Sequence, residues 1–307
     1  MRAFGTKHDK LVTGNGRHSR VLPAPGPPAA PTVDIGVACR DKQSNNWWVP
    51  LLTECITLTK SGVINFGRLL TQDSAMADVN QSQIVKWFLD GPSEWLYMIE
   101  DDTVHPKHTL PTLLQHGRPW VSGLYYYTNV PHNPIAYFRN TPEDEARDPR
   151  HVVGTYFPPK GWDKGEIFEV DSVGLGCCVI HRSVFEKIKE AFVLKMDART
   201  SELYPIHKAD LWDETLPLEV PGRHVYHNAM IVPLRDPPEG DERPWPFFAF
   251  HNGRTQDHYF AEMAARVGVR PLLDTSIECT HWKDKPTGGQ HHRAISDHVR
   301  EAEYVRS

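Results

Sequence analysis

The segment Trp95-Leu-Tyr-Met-Ile-Glu-Asp-Asp102 opens with five apolar residues and closes on three consecutive carboxylates. A short apolar run of this kind reads as a buried strand, and a strand buried on both faces belongs to a parallel or mixed sheet. In open α/β sheets, ligands bind just beyond the carboxyl ends of the strands. Side chains alternate along a strand, so Glu100 and Asp102 are expected on one side and Asp101 on the other. Two carboxylates on one side suit a hard divalent cation, which can in turn hold a diphosphate. The plain alternative is an acidic turn that ends a strand and does nothing more. The flanking chain weighs between the two.

Upstream, Thr32–Cys39 predicts a first strand, residues 47–60 an amphipathic helix and Val63–Leu70 a second strand. Asp78 with Gln81 three residues later has the pattern of a helix start, and Gly91-Pro92 stops that helix before the acidic strand. Strand, helix, strand, helix, strand is the order of a wound α/β layer.

Downstream, Pro106 fits a first helical turn, and Gly117 ends the helix. Trp120–Tyr127 predicts the next strand, with Tyr125, Tyr126 and Tyr127 as ordinary strand aromatics. Glu169–Ile180 places an acid and a small-residue turn before another apolar strand. Its glycines, Gly174 and Gly176, are expected to let the backbone approach a ligand. Ser183 and Glu186 form a capping box. Residues 193–244 are polar, Pro-rich and weakly periodic, which predicts an irregular insertion or lid. His207, His224 and His227 fall there and read as surface histidines. Thr255 is an expected N-cap, placing Asp257 in a first helical turn, where an acid favours the macrodipole. Pro271–His281 predicts a last strand ending on a histidine.

Composition sets the outer limits. The chain has 307 residues, 39% of them apolar, and a formal net charge of -5. That charge argues against a general affinity for nucleic-acid backbone. No apolar run approaches the length of a membrane span, and no signal-peptide pattern opens the chain, so a cytoplasmic protein is expected. Five cysteines at irregular positions give no disulfide framework; Cys177 and Cys178 read as small core residues. Residues 1–31 form a Pro-rich tail expected to be disordered, and residues 283–307 a polar C-terminal tail.

Taken together, residues 32–282 resemble the GT-A class of glycosyltransferases, closest to the compact family-2-like enzymes of bacterial and bacteriophage genomes. Four blocks carry the resemblance: Leu96–Pro106 in place of a D-x-D strand; Val121–Tyr127 with Pro134–Tyr137; Val170–Gly176 with Ile180–Phe185; and Phe248, Gln256–Phe260, Gly268 and Cys279–His281. The resemblance implies a single α/β domain with a GT-A-like (Rossmann-like), mixed and mostly parallel sheet. It implies a Mn²⁺ or Mg²⁺ ion held by Glu100, Asp102 and His281. A nucleotide sugar, a UDP-sugar first among them, would lie near Ala38, Cys39 and Arg40, with Asp101, Gly174 and Gly176 at the donor. Asp257 becomes the base that deprotonates the acceptor hydroxyl in an inverting reaction, and Asp171 borders sugar and acceptor.

Three positions depart from the family pattern. Glu100 replaces the first aspartate, Gln256 replaces the glutamate before Asp257, and Gln81-Ser82 stands where relatives carry Arg-Asn. Arg68 or Arg40 is expected to supply the missing donor contact. The departures at Glu100 and Gln256 motivate an alternative, a GT-A-like binding or virion-associated protein without catalysis. A nucleotidyltransferase also uses paired carboxylates, but no basic phosphate-binding loop is present.

Overall fold

The computed structural model describes residues 29–39, 48–73, 76–127, 133–139, 156–210, 224–227, 230–250, 255–283 and 285–287, with the backbone alone at 48–49, 210, 224–227, 230–233, 281–283 and 285–287. Arg40, most of the Pro-rich stretch and the chain from 288 onward lie outside the described residues.

Seven strands form the central sheet: β1 (Thr32–Cys39), β2 (Asn65–Asp73), β3 (Trp95–Glu100), β4 (Trp120–Leu124), β5 (Ile167–Glu169), β6 (Cys177–His181) and β7 (Leu272–Glu278). Their order is β2-β1-β3-β6-β4-β7-β5. β1 runs parallel to β2 and β3, and β7 parallel to β4. β6 is antiparallel to both β3 and β4, and β5 is antiparallel to β7. The sheet is mixed and largely parallel, as the acidic strand and its neighbours predict.

Among the described residues, helices α1 (Trp48–Lys60), α2 (Ala77–Leu89), α3 (Thr109–Gln115), α4 (Arg182–Ala191) and α5 (Gln256–Arg266) pack on it. Alternation along β3 sorts them into two layers. Leu96 and Met98 pack with Ile84 and Phe88 of α2, Phe185 of α4 and Phe260 of α5. Tyr97 and Ile99 point the other way, to Cys55 and Leu58 of α1 and Leu110 and Leu113 of α3. Each large side chain buried this fully contributes about 1.5–3 kcal/mol. β6 is split in the same way, with Cys178 in the first layer and Cys177 in the second. Glu100 continues the Leu96–Met98 series, so strand parity directs it toward the α5 layer.

Two arginines tie down the C-terminal end of α2, where carbonyls lack helical partners. Arg182 donates to the carbonyl oxygens of Phe88, Leu89, Gly91 and Ser93. Its guanidinium also sits 4.8 Å over the Phe88 ring. Arg68 donates to the Asp34 carboxylate and to the carbonyls of Trp87 and Phe88. Asp34 is wholly buried and also accepts from Ser93 Oγ at 2.6 Å.

Several boundaries differ from expectation. α2 begins at Ala77, with Asp78 in its first turn rather than at the N-cap. The N-cap of α4 is His181, whose Nδ1 accepts from Ser183 N–H, so no Ser183–Glu186 box forms. The stretch expected to be irregular holds strands Phe192–Asp197, Leu203–His207, His224–His227 and Met230–Arg235 in an antiparallel sheet. Its strands are short and interrupted by Pro205 and Pro233, and Phe192–Asp197 pairs with the distant Met230–Arg235, which local periodicity does not signal. Ala30 and Pro31, the end of the expected tail, accept hydrogen bonds from Asn65.

Candidate functional site

The site is built where the carboxyl end of β3 faces the first turn of α5. Phe260 fixes the helix on the sheet, 4.9 Å from the Trp120 ring and 5.5 Å from Phe185. The first turn is anchored through His258. Its Nδ1 lies 2.8 Å from Ser172 Oγ, and its ring stacks on Tyr156 at 3.9 Å with parallel planes. Asp257 directly precedes His258 in this turn. Its Oδ1 is cut off from solvent with no hydrogen-bond partner among the described residues, as is Oε1 of the preceding Gln256.

Burial first, and the charge of Glu100 second, push the Asp257 carboxyl well above the usual carboxylate range. A helix N-terminus alone predicts the opposite direction. Here desolvation and a like charge outweigh it. The neighbouring tyrosines sense the same pair. Tyr125 is raised well above its ordinary value by burial, then by Glu100 and Asp257. Tyr127 and Tyr137, shifted upward chiefly by burial, also register Asp257. The Tyr137 hydroxyl donates to that of Tyr127 at 2.6 Å.

The glycine turn has a packing role of its own. A Cβ on Gly174 would lie 2.0 Å from the Tyr125 hydroxyl, and one on Gly176 would lie 2.9 Å from Glu100 Oε2. The missing side chains make room for Tyr125 and Glu100. Gly176 N–H donates to the Tyr125 hydroxyl at 2.9 Å.

The other expected site residues divide. Ala38 pairs in register with Glu100. Cys39, next along, has its thiol pushed up to about 11 by burial, then by Asp101 and Asp73. Asp101 is buried on that side, while Asp102 is half-buried and leads into strand Thr103–Val104. That strand pairs with Thr280–Lys283 so that His281 stands opposite Thr103, the residue after Asp102. The backbone thus brings His281 to the acidic turn; its side chain lies outside the described residues. Arg68 is not there: it is held by Asp34, near the start of β1. Asp171 accepts from Arg139 N–H at 2.8 Å and lies 3.4 Å from Arg270. Glu100, not Asp171, is the charge that reaches Asp257.

The carboxylate oxygens of Glu100 and Asp102 are hard donors of the kind that suits a divalent cation of the Mn²⁺ or Mg²⁺ type. A second cluster does not. Nitrogen and sulfur atoms of His105, Cys177 and Cys279 lie within 4.8 Å of one another, but thiolates suit softer metals, and both ring nitrogens of His105 already have partners in Tyr97 and Gly176. Behind β3, on the α1–α3 side, a cavity of about 490 Å³ is lined by Leu51, Cys55, Leu58, Tyr97, Ile99 and Leu110, among others. Its lining is mainly apolar but also includes Glu54, Thr103, His105, Lys107 and His108.

Tyr125, His105 and His258 were not singled out by sequence. Tyr125 looks like strand packing, and His258 is masked by its acidic neighbour. His105 carries one signal, a lone imidazole shortly after the acidic triplet.

No protein-family model matches the chain, and no curated protein matches it. Among solved structures it is similar to A197 from STIV, at 16% identity and a TM-score of 0.41, covering 83% of this chain and 86% of that one. It is also similar to GalNAc-T7, solved with UDP, GalNAc and Mn²⁺, at 9% identity and a TM-score of 0.35, covering 88% of this chain. The chain spans 48% of the length of that protein. Both TM-scores lie below 0.5, so the case for a function rests on the side chains. Among the described residues, no helix is long and apolar enough to cross a membrane.

Proposed function

We propose that the chain is a metal-dependent glycosyltransferase with a GT-A-like fold, moving a sugar from a nucleotide sugar to an acceptor hydroxyl. The observation that carries this is a buried acid in the first turn of α5, Asp257, whose Oδ1 has no hydrogen-bond partner among the described residues, within reach of the Glu100 charge at the end of β3. Glu100 and Asp102, with His281 from the paired strand, would hold Mn²⁺ or Mg²⁺. When bound, the cation neutralises charge on the departing diphosphate, worth several kcal/mol. The end of β1 at Ala38 and Cys39 would border the nucleotide, for which a UDP-sugar is the first choice.

Asp257 takes the proton from the acceptor hydroxyl. A general base that reaches the acceptor hydroxyl contributes roughly 10²–10⁴-fold. A single base of this kind goes with inversion at the sugar carbon. Gly176 and the Tyr125 ring lie beside the Glu100 carboxylate.

The test is donor hydrolysis and transfer with a panel of UDP- and GDP-sugars, with and without Mn²⁺. Metal-dependent release of nucleoside diphosphate is expected. Absence of both turnover and nucleotide binding across the panel contradicts the proposal.

A further inference from the structure

We propose that His105 is a positioning residue, acting from the opposite face of the sheet to hold the Gly176 backbone on which Glu100 rests. The inference deepens the glycosyltransferase proposal and rests on it for the role of Glu100. His105 Nε2 lies 2.8 Å from Gly176 O. A carbonyl oxygen only accepts, so Nε2 carries the proton. Nδ1 is then a bare acceptor, and the Tyr97 hydroxyl donates to it. The Tyr97 and His105 rings meet edge-on, with centroids 5.4 Å apart.

The chain of bonds continues through Gly176 itself. Its carbonyl is held by His105 and its N–H by the Tyr125 hydroxyl. Both peptide groups flanking this residue are therefore held by hydrogen bonds, one to His105 and one to Tyr125. Between them the bare Cα faces Glu100, so closely that a Cβ would stand 2.9 Å from Oε2. A rotation of either peptide would push into the carboxylate or leave a gap beneath it. Burial holds the His105 imidazole down to about 4, so this tautomer persists through the neutral range. Tyr97 is fully buried in the α1–α3 layer, which gives the clamp a rigid base.

Three variants separate positioning from bulk stability. His105→Ala removes the clamp. His105→Gln restores a side-chain N–H donor of similar reach toward Gly176 O. Leu113→Ala, in the same apolar layer, lowers stability without touching the clamp. Mn²⁺ affinity is read from the free-ion EPR signal, and the position of Glu100 from crystal structures of the metal-free proteins. His105→Ala should weaken Mn²⁺ binding by about 10–100-fold, the usual effect of losing a group that supports a metal ligand. His105→Gln should recover most of that loss, and Leu113→Ala should melt earlier with unchanged affinity. The Glu100 carboxylate should be displaced in His105→Ala and restored in His105→Gln. An unmoved Glu100 in His105→Ala overturns the positioning role. A wild-type protein that holds Glu100 as described yet takes up no Mn²⁺ overturns the glycosyltransferase proposal instead; displacement in His105→Ala would still support the clamp.

Discussion

The charge of Glu100 reaches Asp257 and, with burial, keeps its proton on well above the usual carboxylate range. The end of β3 and the first turn of α5 therefore share one electrostatic environment. The sign of the stability effect follows. An unfolded aspartate titrates near about 3.9, and the folded protein binds this proton to higher pH. The unfolded state thus binds fewer protons between the two values, and stability falls as pH rises through that window.

Asp257→Asn should consequently stabilise the cation-free protein at pH 7, by on the order of 1 kcal/mol, and flatten the decline of melting temperature above about pH 4. The same variant should lose transfer activity. Melting curves across pH with parallel turnover assays check both. A destabilised Asp257→Asn protein with an unchanged pH profile would contradict the coupling.

The two glycines of the Val173–Cys177 turn should respond differently to alanine. At Gly174 the new Cβ meets the buried Tyr125 hydroxyl at 2.0 Å, and overpacking of this kind costs about 1–3 kcal/mol. At Gly176 the nearest atom is Glu100 Oε2, at 2.9 Å, with the Tyr125 ring beside it. Gly176→Ala should disturb cation affinity more than melting temperature, and Gly174→Ala the reverse. Thermal melts paired with Mn²⁺ titrations would show the contrast.

A separate acid-sensitive contact lies at the C-terminal end of α3. His116 Nε2 is 2.8 Å from Asp274 Oδ2, and Ser276 donates to Oδ1 from both N–H and Oγ. Burial would raise the Asp274 pKa, but these hydrogen bonds outweigh it and hold it low. Its stabilisation is present above the unfolded value of about 3.9 and lost as pH falls through the lower folded value. Asp274→Asn should remove that part of the acid transition, and His116→Ala should cost about 1–3 kcal/mol by leaving a buried carboxylate oxygen unpaired. Acid-unfolding midpoints measure the first, and urea denaturation at pH 7 the second.

Local pattern carried much of the fold. The apolar run of β3 is continuous because both faces are covered, and its acidic end lies where strand chemistry puts a ligand. Asp257 follows from helix signals that depend only on near neighbours. What sequence could not reveal depends on distant partners. Arg68 reads as a free cation until Asp34 and the end of α2 are seen to hold it. That Gly174 and Gly176 also make room for Tyr125 and Glu100 shows only once the distant strands are in place. The Asp257 pKa moves opposite to the helix-terminus expectation because burial and Glu100 are tertiary facts. Strand Thr280–Lys283 was read as the tip of β7, yet its pairing with Thr103–Val104 is what carries His281 toward Asp102.

The most direct measurement is calorimetric titration of UDP into the wild-type protein and into Glu100→Gln and Asp102→Asn, with Mn²⁺ and again with EDTA. Mn²⁺-dependent binding by the wild type, weakened at least about tenfold in both variants and absent in EDTA, is the predicted result. Binding that is equal in all three proteins, or indifferent to EDTA, would show that the acidic end of β3 is not a cation site.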